Sequence, residues 1–151
     1  MRTLLRRLLP LAVSVWLSGA NAADGLIEVE SSYSVSETMD RLEQVVVQRG
    51  LTVFSRIDHA AGAATIGASL RPTVLLIFGN PQGGTPFMNC AQTVGIDLPL
   101  KALVWEDASS RVWIGYNDPA FIAERHEVAD CPVVENLRRA LSSLVAAAIE
   151  R

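Results

Sequence analysis

Few side chains in this 151-residue chain have types and spacing that suggest chemistry. There are two histidines, His59 and His126, and each sits among charges. Arg56 and Asp58 precede the first, as Glu124 and Arg125 precede the second. A histidine in such company can act as a general acid or base, or ligate a metal. It can equally be a cap or surface residue held by a local hydrogen bond. Arg71 precedes Pro72, which forces extended backbone there. Its guanidinium could grip a carboxylate or phosphate through two hydrogen bonds. The competing expectation, which is favoured, is an internal pair with Asp97 or Asp118. The stretch Gly79-Asn80-Pro81-Gln82-Gly83-Gly84-Thr85 follows the most apolar run downstream of residue 22. Thr85 followed by Pro86 has the form of a helix start, and such an N-terminus attracts anions. Asn80, Gly84 and Thr85 are therefore candidate ligand contacts, beside a plain chain-reversing turn. Asn117-Asp118-Pro119 reads as a strand exit with an aspartate cap, which adds Asn117 to the candidates.

Several chemistries lack their signatures. The glycines match neither the Walker A nor the dinucleotide pattern, so no nucleotide cofactor is expected. No G-x-S-x-G marks a nucleophilic serine. The histidines with Asp58, or Met88 with Cys90, have no spacing that gathers them around a metal, and none is expected.

These residues need an address and a scaffold. Arg2, Arg6 and Arg7 precede an apolar run from Leu8 to Leu17, which ends in Ser18-Gly19-Ala20-Asn21-Ala22. That order reads as a secretory signal cleaved after Ala22. The uncharged stretch Leu8–Ala23 is shorter than the roughly 20 residues of a membrane span. The expected product is a periplasmic or secreted domain covering residues 23–151. Without the three leader arginines, 10 Lys+Arg face 16 Asp+Glu, a formal charge of −6. That balance argues against nucleic acid as a partner, and no membrane association is expected after cleavage. In an oxidising compartment Cys90 and Cys131 favour a disulfide, with two buried thiols as the alternative.

The elements follow from periodicity. Leu26–Tyr33 and Leu51–Ile57 read as strands around a helix. The helix opens on the capping box Ser34-Val35-Ser36-Glu37, carries the stripe Val35, Met39, Leu42, Val46, and ends at Gly50. Ala60–Ala68 suits a short helix, and Thr73–Phe78 a central strand buried on both faces. A helix from Pro86 would place Phe87, Cys90, Ala91 and Val94 on one face and end at Gly95. Lys101–Trp105 and Val112–Tyr116 form a hairpin that carries Trp105 and Trp113, read as core or dimer-face residues. A short helix runs to Arg125, and Cys131-Pro132 opens the last one, striped by Val134, Leu137, Leu141, Leu144 and Ala148. The order implies an α+β, two-layer domain: about five mainly antiparallel strands with helices packed on them.

From residue 56 to residue 126 the chain resembles the bacterial and archaeal family called domain of unknown function 302. The likeness rests on Arg56-Ile57-Asp58-His59, Leu70-Arg71-Pro72-Thr73, Leu76 to Pro81 and Gly84-Thr85-Pro86. It continues in Asp97 to Lys101, Val104-Trp105-Glu106-Asp107, Tyr116 to Pro119 and Glu124-Arg125-His126. The resemblance implies a small α+β homodimer and carries no agreed activity. Three functional readings follow. The favoured one is a non-catalytic module that binds a small polar or anionic ligand near Arg56, His59, Arg71 and the Gly79–Thr85 loop. The others are a cofactor-free enzyme using His59 or His126, and a structural or interaction protein.

Overall fold

The computed structural model describes residues 23–151; the proposed signal lies outside them. The elements in chain order are β1 (Leu26–Ser31), α1 (Val35–Gln48), β2 (Thr52–Asp58), α2 (His59–Ala64), β3 (Thr73–Gly79) and α3 (Pro81–Cys90). A 3-10 turn (Gln92–Ile96), β4 (Leu100–Glu106), β5 (Val112–Asn117), α4 (Pro119–Arg125) and α5 (Val134–Ile149) complete the chain. The five strands form one sheet in the order β1-β5-β4-β3-β2. Every neighbouring pair is antiparallel. The α+β expectation is met.

Alternation along the strands sorts their side chains into two faces. Val74, Leu76, Phe78, Ala102, Val104, Val112, Ile114 and Tyr116 point to one side. There they bury against Val35, Met39, Leu42 and Val46 of α1 and Leu141, Leu144, Val145 and Ala148 of α5. A second cluster joins Phe87 and Val94 to Ile122, Ala123, Val134 and Leu137. β3 is therefore not buried on both faces: Thr73, Leu75 and Ile77 alternate with the buried set and are only half-buried. Its unbroken apolar run reflects a second face that is apolar without a helical cover.

Local chemistry explains most of the boundaries. The Ser34 hydroxyl accepts from the Glu37 amide at 3.2 Å, the forward half of the capping box. Gly50 has a positive φ and closes α1; glycine tolerates that left-handed region without steric cost. α3 differs from expectation. It begins at Pro81, not Pro86, because the Asn80 side chain accepts from the Gly83 amide at 2.9 Å and caps the helix earlier. Pro86 lies inside the helix, which stops at Cys90 before the separate 3-10 turn. α5 starts at Val134, three residues after Cys131.

Candidate functional site

The sequence candidates do not converge. Arg56 lies on the helix-covered side of β2, opposite Leu76. Its Nη1 donates to Asp40 Oδ1 at 2.6 Å and Glu43 Oε2 at 3.1 Å, both on α1. His59 is exposed in the first turn of α2, whose cap is Asp58. Arg71 pairs with neither Asp97 nor Asp118; its Nε donates to the Glu106 carbonyl at 3.2 Å. Both aspartates have nearer cations. Asp118 takes Arg138 at 2.9 Å and Asp97 takes Arg125 at 2.9 Å. Arg71 stands before the first residue of β3 and Asn80 after its last, so the whole extended strand separates them. Asn117 is exposed at the end of β5.

His126 sits in a polar cluster with Asp97 and Thr93. It follows α4, and its side chain is only 9% exposed. Nε2 meets Asp97 Oδ2 at 2.7 Å, and Nδ1 meets the Thr93 hydroxyl at 2.9 Å. The ring thus joins the end of α4 to the 3-10 turn and to Asp97, which caps that turn. At the far end of the sheet Asp107 binds the β4–β5 turn together. Its carboxylate accepts from the Ser109 and Arg111 amides, from Arg111 Nε and from Trp113 Nε1. The Trp113 bond leads, and together these hold its pKa well below the usual carboxylate range, since each favours the charged form.

A concave feature lies elsewhere. A groove of about 680 Å³ opens between α3, the Leu98–Leu100 segment and α5. Phe78 and Leu100 line it at the end of the sheet, and Leu51 and Phe54 line the β2 side. Met88, Leu98 and Pro99 contribute from one side, and Leu137, Ala140 and Leu141 of α5 from the other, with Val133 just before that helix. Polar lining comes from Asn80, Gln82, Thr85 and Asn136, and no charged side chain contributes. Among the expected ligand contacts only Asn80, Gly84 and Thr85 reach this groove. Arg56, His59, Arg71, Asn117 and His126 do not.

Glycines let the groove close up locally. A Cβ on Gly83 would stand 3.1 Å from Leu137 Cδ2, so α3 and α5 approach where that position has no side chain. A disulfide between Cys90 and Cys131 then ties the C-terminal end of α3 to the segment before α5. In the sequence α5 shows only a core stripe. The available clue is breadth: Ala140 extends the apolar sector of that helix beyond the residues its core contact needs.

A family model described as "Domain of unknown function DUF302" matches residues 27–144, a wider span than residues 56–126. A protein named "Fluoride-specific ion channel FluC 1" from Brucella suis biovar 1 is 51% identical over 104 residues, 69% of this chain and 41% of that protein. One named "Fluoride-specific ion channel FluC 2" from Brucella melitensis biotype 1 is 51% identical over 104 residues, 69% of this chain and 38% of that protein. The chain thus spans about two fifths of the curated relatives it matches. Among solved structures, the crystal structure of an uncharacterized conserved protein DUF302 from Bacillus stearothermophilus aligns with a TM-score of 0.67. Its identity is 24%, covering 84% of this chain and 97% of that one, a likeness of fold. Motifs, topology and the family match agree: the chain belongs to the domain of unknown function DUF302 family.

Proposed function

We propose that this domain is a non-catalytic binding module that takes a small apolar molecule, or the apolar part of an amphiphile, into the groove between α3 and α5. The groove itself carries the proposal. Its volume is about 680 Å³. That is within the roughly 300–1,000 Å³ of small-molecule sites. Its lining is mostly aliphatic, aromatic or thioether, with four neutral polar residues. A bound anion would give up hydration there without a counter-charge, a costly exchange. The polar or anionic ligand expected from the sequence therefore gives way to an apolar one. The Cys90–Cys131 disulfide supports an oxidising compartment, in keeping with export to the periplasm or beyond.

The acid–base alternative has one observation behind it. Thr93, His126 and Asp97 repeat the hydroxyl–imidazole–carboxylate order of hydrolytic sites. The groove does not include His126, and His59 lies on a different element. We read the cluster as a tie between α4 and the 3-10 turn. The channel activity named for the curated relatives is not carried over. The chain covers about two fifths of their length, and no described helix is long and apolar enough to cross a membrane.

Titration with Nile red, an uncharged apolar dye, tests the proposal. Saturable binding is expected. Ala140→Trp, which fills the groove from an exposed position, should weaken it at least tenfold with an unchanged melting temperature. Absence of saturable binding, or binding indifferent to Ala140→Trp, would sink it.

A further inference from the structure

The groove between α3 and α5 has an uncharged lining but a cationic border. Asn136 and Ala140 of α5 line its rim, and both are exposed. Arg139 lies between them in sequence, is exposed, and donates from Nη2 to the side-chain oxygen of Asn136. Arg49, the C-cap of α1, reaches the same helix. Its Nη1 donates to Ser143 Oγ at 2.8 Å and its Nη2 to the Ser143 carbonyl at 3.2 Å. Ser143 stands one helical turn beyond Arg139, roughly 5.4 Å along the axis. It directly precedes Leu144, which lines the groove, as does Leu51 just after Arg49-Gly50. The two guanidiniums therefore bracket the α5 side of the mouth.

Both guanidiniums are spent on neutral partners. Among the described residues the ion pairs occupy Arg56, Arg111, Arg125 and Arg138, and neither Arg49 nor Arg139 takes part in one. Glu135, the acid beside Asn136 in sequence, is turned to Arg138 at 3.3 Å. No acidic side chain lines the groove. In a domain where carboxylates outnumber cations, an apolar groove with two such arginines at its border presents a positive mouth.

We infer that the ligand is an anionic amphiphile, a single-chain fatty carboxylate, with its chain in the groove and its head at Arg139 and Arg49. This rests on the groove reading above and adds the head group to it. The chain meets Phe78, Met88, Leu98, Leu141 and Leu144. The head stays at the exposed rim and keeps much of its water, so it escapes the desolvation cost that bars an anion from the apolar floor. A carboxylate's two oxygens match the parallel N–H groups of a guanidinium. Asn136, whose oxygen is engaged by Arg139, has its amide N–H groups left to donate to the same head. A cationic head would be repelled there, and an uncharged one would gain nothing from the arginines.

Displacement of Nile red by decanoate, decanol and decyltrimethylammonium, which share one chain and differ in head, is the test. At pH 8 and low salt, decanoate should displace the dye at least fivefold more effectively than decanol, and the cation least of all. Laurate should exceed decanoate about tenfold, since each added methylene that enters the groove is worth about fourfold. The double variant Arg49→Gln/Arg139→Gln should bring the decanoate-to-decanol ratio close to one. Because that ratio is taken within one protein, any general change in the groove cancels. Equal displacement by decanoate and decanol in wild type would overturn the inference and leave the groove reading standing. So would a ratio unchanged in the double variant, or decyltrimethylammonium displacing best. Nile red that fails to bind at all would overturn the groove reading, and this inference with it.

Discussion

Replacing Cys90 and Cys131 together by alanine should cost this domain a large share of its stability. The bridge closes a loop with a sequence separation of 41 residues. In the chain-entropy treatment, cross-linking a loop of that length removes enough freedom from the unfolded chain to stabilise the fold by roughly 4 kcal/mol. A domain of about 130 residues has an unfolding entropy near 0.27 kcal/mol/K, so the melting temperature should fall by about 15 °C. The bridge also fixes the end of α3 against the segment before α5, next to the groove. Nile red binding should therefore weaken in the double variant at temperatures where it is still folded. Urea unfolding by circular dichroism, run beside a reduced wild-type sample, measures the effect. Reduction should reproduce the loss seen in the double variant. A loss less than a quarter of the expected size in both samples would show that packing of Phe87 and Val134 holds α3 without the staple, and the reasoning would fail.

Two further outcomes are expected. The Asp107 carboxyl has a depressed pKa in the fold and a value near 3.9 when unfolded. It therefore contributes stability above about pH 4 that is lost as pH falls further. Asp107→Asn should flatten this acid limb in urea midpoints taken from pH 5 to pH 2; parallel loss in both proteins would contradict the assignment. Asp97→Ala leaves the nearly buried His126 ring and Arg125 without their acceptor. Losing such an acceptor should cost about 2–3 kcal/mol. A loss too small to resolve in the same assay would show that the cluster ties nothing together.

The sequence carried the scaffold further than the site. Signals that act over a few residues came through: Ser34 and Glu37 at the start of α1, Gly50 at its end, Asp118-Pro119 opening α4. Each states its structure within one turn of chain. The start of α3 is ambiguous in sequence because two capping signals compete, Asn80-Pro81 and Thr85-Pro86. Gly83 and Gly84 resemble a turn until Leu137 and Leu98 are brought against them. The groove could not be read at all, since β2, β3, α3 and α5 meet there only through the tertiary fold. The partner of Arg71 is hidden for the same reason: Asp97 and Asp118 are claimed by Arg125 and Arg138, which no spacing announces.

The strand order also governs when the molecule can become itself. β1 is the first strand of the chain, yet its only partner is β5, with Leu26 opposite Asn117. An edge strand made first must wait for a partner far along the chain, with the whole β2–β4 block in between. Contacts of such long range are slow to close and leave unpaired strand exposed meanwhile. A ribosome or a translocation pore releasing this chain from its N-terminus would hold back the sheet's completion until about three quarters of the chain had emerged.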